Sequence, residues 1–190
     1  MCGIGGILDR RGRPIDAALC RRMVEILHHR GPDDRGVRID SGGGVSVGLA
    51  HTRLAVVDLT DAGHQPMSGA DGALWMVANG EIYNAPELRA ELVAKGYRFS
   101  SRTDVEVILH LYEEEGLDSL ARLNGMFAVA LWDRRRGRLL LARDRFGVKP
   151  LYVAQRGDRV AFASEAKALC GIEDFEARLD PVALSEHFTF

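Results

Sequence analysis

The sequence predicts an α+β fold: a four-layer αββα sandwich of two stacked, mainly antiparallel sheets flanked by helices. Three observations carry this. Apolar periodicity and capping signals run in the order strand, helix, several strands, two helices, several strands. The central run MFAVAL is apolar on both faces, as suits a strand covered from two sides. The charged segment RRRGR separates two strand-like runs as a hairpin turn, which makes neighbours antiparallel.

Each element follows from local chemistry. Gly3–Leu8 reads as a short buried strand. In PIDAALCRRMVEILHHRGPDD an Asp cap precedes Leu19, Met23, Ile26 and Leu27 at helical spacing, and Gly31 and Pro32 stop the helix. DSGGGVS is a turn into a strand over VSVGLAHTRLAVVD, and LTDAGHQPMSGADG is a loop. ALWMVANGEIY is a strand that breaks at Asn79-Gly80. Two helices follow. Asn84 caps the first, with Glu87 three residues on and Tyr83 placed to staple onto Leu88; Thr103 caps the second and Glu106 completes the box. GMFAVALWD and RLLLARD form a hairpin, KPLYVAQRGDRVAFASE adds a strand pair, and EAKALCG a short helix. DPVALSEHFTF begins a helical pattern that stops with the chain. We therefore expect one domain over residues 1–180 and the start of a linker at 181–190, within a longer polypeptide.

With 190 residues the chain can build one sizeable core. A net charge of -2 argues against nucleic acid or an anionic membrane as partner. No apolar run approaches a membrane span, and the start lacks the basic lead and apolar core of a secretion signal. A cytoplasmic protein is expected. Cys2, Cys20 and Cys170 have no paired spacing, so neither a disulfide framework nor a metal site is expected. Cys20 and Cys170 lie in apolar helix-like segments and read as inert buried thiols.

The opening MCGIGGI poses a chemical question. Aminopeptidases remove Met before a residue as small as Cys, which leaves Cys2 with a thiol and a free α-amine. An ordinary thiol titrates at about 8.5 and an α-amine at about 7.7–8.0, so the amine can take the thiol proton, directly or through one water. One residue then supplies nucleophile and base. Gly3, Gly5 and Gly6 would let substrate and neighbouring backbone approach without a Cβ. Taken alone, MC is better explained as an accidental Cys on a frayed terminus; the catalytic reading gains weight only if the rest of the chain supplies an oxyanion hole and a substrate clamp.

The strings MCGIGGI, HRGPDD, AHTRLAVVDL, AGHQPM, ANGEIYN, TDVEVILHLYEEEG, LNGMFAVALWD, RDRFGVKPLYV and FASEAKAL, in this order along nearly the whole chain, resemble the glutaminase domain of glutamine-hydrolysing asparagine synthetases. That domain is a class II glutamine amidotransferase, an N-terminal-nucleophile hydrolase. The resemblance implies that Cys2 is the nucleophile and that Asn79 and Gly80 form the oxyanion hole through a side-chain amide and a backbone N–H. It implies that Arg53 grips the α-carboxylate of L-glutamine with the backbone around Leu54 and Val57. Asp104, helped by Glu81, would receive the α-ammonium. Read alone, NG is a type I′ turn, Arg53 a surface ion-pair residue, and Asp104 an acid complementing a helix dipole.

The implied reaction is L-glutamine and water to L-glutamate and ammonia through a thioester on Cys2, with no metal or cofactor in this domain. ATP and Mg²⁺ are expected only in a C-terminal synthetase domain, the implied partner; a homo-oligomer is compatible with this. The acceptor is aspartate or another carboxylate. The alternative is a non-catalytic docking or regulatory domain of the same fold. Sister amidotransferases carry a different marker after HRG. Arg30 and Asp33 read as braces of the Cys2 loop, His51 and His64 as positioning groups, and Arg143 and Asp144 as a structural pair. Thr52 and Ala55 depart from many relatives and bear on packing rather than chemistry.

Overall fold

Extended apolar runs and two helical blocks alternate along the chain, and the computed structural model describes residues 1–172, 175 and 177–189. In chain order the elements are β1 (Gly3–Asp9), α1 (Ala17–Leu27), β2 (Asp34–Gly42), β3 (Val45–Arg53), β4 (Met67–Ser68) and β5 (Leu74–Ile82). Next come α2 (Ala85–Ala94), α3 (Glu106–Glu115), α4 (Ser119–Arg122), β6 (Gly125–Asp133), β7 (Arg138–Arg143), β8 (Tyr152–Arg156), β9 (Arg159–Ala163), α5 (Ala166–Cys170) and α6 (Pro181–Thr189). The linker expected at 181–190 is helical over α6; Phe190 lies outside the described residues.

Two antiparallel sheets form, ordered β2-β3-β1-β9-β8 and β4-β5-β6-β7. Three apolar layers bind four structural ones. Ile4, Leu49, Val77, Ala128, Trp132 and Phe162 fill the space between the sheets. Ile7, Ala50 and Ala161 on the other face of the first sheet meet Cys20, Met23 and Leu27 of α1 and Ala168 of α5. Met76, Ala78 and Val129 of the second sheet meet Leu88 and Leu92 of α2 and Ile108 and Leu111 of α3. The two-faced burial of β1 and β6 follows from this layering. The predicted sandwich is the observed one.

Local signals held where a cap meets its own backbone. Asp16 Oδ1 accepts the Ala18 N–H at 2.8 Å and starts α1. Gly43 and Gly44, at φ of 59° and 75°, turn β2 into β3. Elsewhere tertiary partners took the polar groups. Asn84 stands at the α2 N-terminus without capping it; its side chain donates to Arg122 O and accepts from Asn124 N instead. Thr103 does not cap α3, which begins at Glu106, and the Glu106 carboxylate accepts from Ser100 and Ser101. Cys170 is exposed, contrary to expectation, because α5 turns only Ala168 and Leu169 inward; Cys20 is buried, and its thiol is pushed up to about 12 by that burial.

Candidate active site

The strand β5 does not break at Asn79-Gly80 as its glycine suggested; it runs straight through to Ile82. The physical reason is its partner β6, which pairs with it from Leu74 to Ile82. Phe127, opposite Gly80, bonds through both N–H and C=O to Asp144 on its far side. Gly80 therefore turns its N–H away from β6, toward the open edge of β5. Residues two positions either way face the same edge. The Ala78 N–H donates to Gln65 Oε1 at 2.6 Å, and Gln65 Nε2 donates back to Ala78 O at 3.3 Å. The Ile82 N–H donates to Asp104 Oδ2 at 2.6 Å. Gly80 lies between two occupied positions, and a side chain there would meet Met126 O at 2.5 Å. Next to it, the Asn79 side chain is buried and its Nδ2 has no protein partner.

Cys2 immediately precedes β1. Its Sγ accepts the Leu54 N–H at 3.4 Å and lies 3.7 Å from Leu54 O, which ties it to the loop after β3. Arg30 Nε donates to Cys2 O at 3.0 Å while Arg30 Nη1 donates to Glu165 at 2.9 Å, so Arg30 does brace Cys2. Asp33 instead accepts the Ala55 N–H at 2.8 Å and braces the Arg53 loop. The β1 glycines serve packing: a Cβ at Gly3 would meet Thr52 Oγ1 at 2.6 Å, and one at Gly6 the Gly48 carbonyl at 2.4 Å. Thr52, whose hydroxyl donates to Leu27 O at 3.2 Å, is thus part of the bracing of this strand.

Arg53 closes β3 and is nearly buried. Its Nη1 donates to Thr60 O at 2.8 Å and its Nη2 to Asp58 O, which engages two of its five N–H donors in holding its own loop. Asp104 lies just ahead of α3 rather than in its first turn. Burial raises its carboxyl above the ordinary aspartate range despite the Ile82 N–H. His51 donates through Nε2 to Ala78 O at 3.2 Å; burial lowers its pKa to about 4 against that bond, so it stays neutral. His64 pairs with Asp34 at 2.8 Å. Both histidines hold backbone or loop in place. Arg143 and Asp144 do not pair with each other: Arg143 donates to the Lys149 and Gly147 carbonyls, and Asp144 accepts the Phe146, Val148 and Lys149 N–H groups.

One cavity of about 260 Å³ gathers Cys2, Arg53, Leu54, Val57, Asn79, Gly80, Glu81 and Asp104. A thiol, neutral donors, a cation and carboxylates thus line a space fit for one small polar molecule. Glu81, Leu54 and Val57 are on its open side. Met1, Gln65, Asp58 and Lys149 also line it, and nothing in the sequence sets the last three apart. Among the described residues no cluster of His, Cys, Asp or Glu could hold a metal ion, and no helix is long and apolar enough to cross a membrane.

Fold and site together define a glutamine amidotransferase domain, and a model of that family matches residues 1–190: the chain belongs to the glutamine amidotransferase domain family. It is 42% identical over 191 residues to asparagine synthetase [glutamine-hydrolyzing] 3 of Bacillus subtilis, covering 99% of this chain and 30% of that protein. It is 36% identical to putative asparagine synthetase [glutamine-hydrolyzing] 2 of Methanocaldococcus jannaschii, covering 94% and 36%. The chain thus spans about a third of the length of these relatives. The solved glutamine phosphoribosylpyrophosphate amidotransferase of B. subtilis superposes with a TM-score of 0.71 at 23% identity, covering 88% of this chain and 42% of that one. That likeness shows the fold, two stacked antiparallel sheets flanked by helices.

Proposed function

We propose that this domain, spanning residues 1–180, hydrolyses L-glutamine to L-glutamate and ammonia on Cys2 once Met1 has been removed. The observation that carries this is the convergence of Cys2, the unpartnered Asn79 amide and the outward Gly80 N–H on one cavity that also holds Arg53 and Asp104. The Cys2 thiol gives its proton to its own α-amine and attacks the side-chain amide carbon. Asn79 Nδ2 and the Gly80 N–H donate to the oxyanion as charge develops there; one such donor is worth about 2.7–4 kcal/mol of barrier. Collapse breaks the C–N bond, and the α-amine returns the proton to the leaving nitrogen as ammonia. Water then adds to the thioester through the same oxyanion, and the thiol is restored. Arg53 and the backbone near Leu54 and Val57 hold the α-carboxylate; Asp104, with Glu81, holds the α-ammonium.

The names of the relatives support a further reading, that the ammonia passes to a C-terminal synthetase domain; we further propose that this domain uses ATP and Mg²⁺ to activate aspartate or another carboxylate, and that the protein works in the cytoplasm. A docking domain without catalysis is the competing reading, and the nucleophile discriminates them. With Met1 removed, as judged by intact mass, a diazo-ketone glutamine analogue is expected to add one label at Cys2. Cys2→Ala is expected to abolish labelling and ammonia release with an unchanged fold. Labelling at Cys20 or Cys170, or glutaminase activity surviving Cys2→Ala, overturns the assignment.

A further inference from the structure

Two loops supply the two ends of the proposed clamp. The loop of residues 54–63 is held by Arg53, which donates to Asp58 O and Thr60 O. The loop of residues 100–105 carries Asp104 and is anchored from α2 and α3: Arg89 donates to Ser101 O at 3.0 Å and to Thr103 O at 2.6 Å, and Glu106 accepts the Ser100 and Ser101 N–H groups. Nothing in the chain's connectivity sets the distance between these loops, which are separated by β5 and α2.

Asp58 joins them. It is 5% exposed and divides its carboxylate between them. Oδ1 accepts the Thr60 N–H at 2.9 Å and the Thr60 hydroxyl at 2.7 Å. Oδ2 accepts the Arg102 N–H at 2.8 Å, two residues before Asp104. Its backbone carbonyl receives the Arg53 guanidinium. Among the described residues this is the hydrogen bond that links the two loops.

We propose that Asp58 is a positioning residue: it latches the loop braced by Arg53 to the loop carrying Asp104, so that the two ends of an α-amino acid are grasped at a set separation and capture of one end strengthens capture of the other. The inference rests on the glutaminase reading above. The Thr60 hydroxyl, the Arg102 N–H and the Thr60 N–H, helped by the Arg53 charge and opposed by burial, hold the Asp58 carboxyl down at about 2, so the latch stays ionised throughout the working range. An amide in its place cannot accept on both sides, because its NH₂ would face an N–H.

The test uses the intact protein with Cys2 unblocked. For Asp58→Asn the glutamine KM is expected to rise about tenfold or more while kcat stays within about threefold, a split that simple destabilisation does not produce. Labelling by the diazo-ketone glutamine analogue should slow in parallel, and alkylation of Cys2 by iodoacetamide, which needs no clamp, should keep its rate. An unchanged KM, or equal slowing of both reagents, overturns the latch. A wild type that neither hydrolyses glutamine nor takes the analogue overturns the glutaminase reading itself, and the latch with it. Should Asp58→Asn not fold, the wild type decides by hydrogen exchange. Glutaramate, which is glutamine without its α-amine and has only Arg53 to engage at that end, should slow exchange of the Arg102 amide; no slowing when glutaramate is bound overturns the proposal.

Discussion

At the scale of single residues, Asp104 is the group whose environment and proposed task pull in opposite directions. Burial favours its neutral form, and an incoming ammonium favours the ionised one. A carboxyl raised above its ordinary range keeps its proton to a higher pH, so glutamine capture should weaken on acidification before an ordinary aspartate, at about 3.9, would titrate. We expect the glutamine KM to climb on the acid side in a pH series. Asp104→Asn should flatten that limb and raise KM about 10–100-fold at neutral pH, the worth of one hydrogen bond to a charged group. A KM in the variant equal to wild type would refute the ammonium role. Read alone, MC, the Asn-Gly pair and Arg53 each fit a structural use, and only the resemblance of the ordered strings that carry them singled them out in the sequence. Their contacts were not legible there. That two of the Arg53 donors hold Asp58 O and Thr60 O depends on how the loop folds back over it.

At the scale of elements, α3 presents a buried polar chain. Glu106 accepts from Ser100 and Ser101, and His110 Nδ1 lies 2.8 Å from Glu113 while its Nε2 lies 3.6 Å from Glu106. The rings of Tyr97 and Phe99 pack on the imidazole. Burial works against the imidazolium, but Glu106 and Glu113 outweigh it and raise His110 to about 9. A histidine whose folded pKa exceeds its unfolded value of about 6.5 binds its proton more tightly when folded. The stability it contributes is therefore complete below about 6.5 and is lost as pH rises through about 9. Urea denaturation should show roughly 1–3 kcal/mol less stability at pH 9.5 than at pH 6, and His110→Gln should remove most of that slope. An identical slope in the variant would show that another group carries it. Sequence periodicity found α3, but it placed Thr103 as the cap and Glu106 as its box partner. The helix starts later because Arg89 and Asp58, distant in sequence, claim the backbone of residues 101–103.

At the scale of the whole molecule, the layer between the sheets requires β1 to leave room for β3 and β9, its neighbours in the same sheet. Gly6 in β1 packs where a Cβ would fall 2.4 Å from Gly48 O and 2.5 Å from the Phe162 ring, in the layer shared by Trp132 and Leu49. Gly6→Ala has no room to relax, since one obstacle is backbone and the other a buried ring. It should cost at least 1–3 kcal/mol, on the order of an overpacked core, read as a lower denaturation midpoint. A change under about 0.5 kcal/mol would show that the layer is looser than its geometry implies.

The order of elements and their alternation between sheet and helix were set by the amino-acid sequence on its own, because periodicity and capping are decided among neighbouring residues; Cys2, Asn79 and Gly80 were singled out there by the resemblance of their motifs to a family. Tertiary structure alone decided that β5 continues through Gly80, that this N–H faces the cavity, that Gln65 occupies Ala78 in place of a strand, and that Asp58 ties the loop after Arg53 to the loop before α3. Each of these depends on which partner fills a backbone group across a sheet edge or between loops, and a hydrogen bond of that kind leaves no local pattern because its two halves lie tens of residues apart.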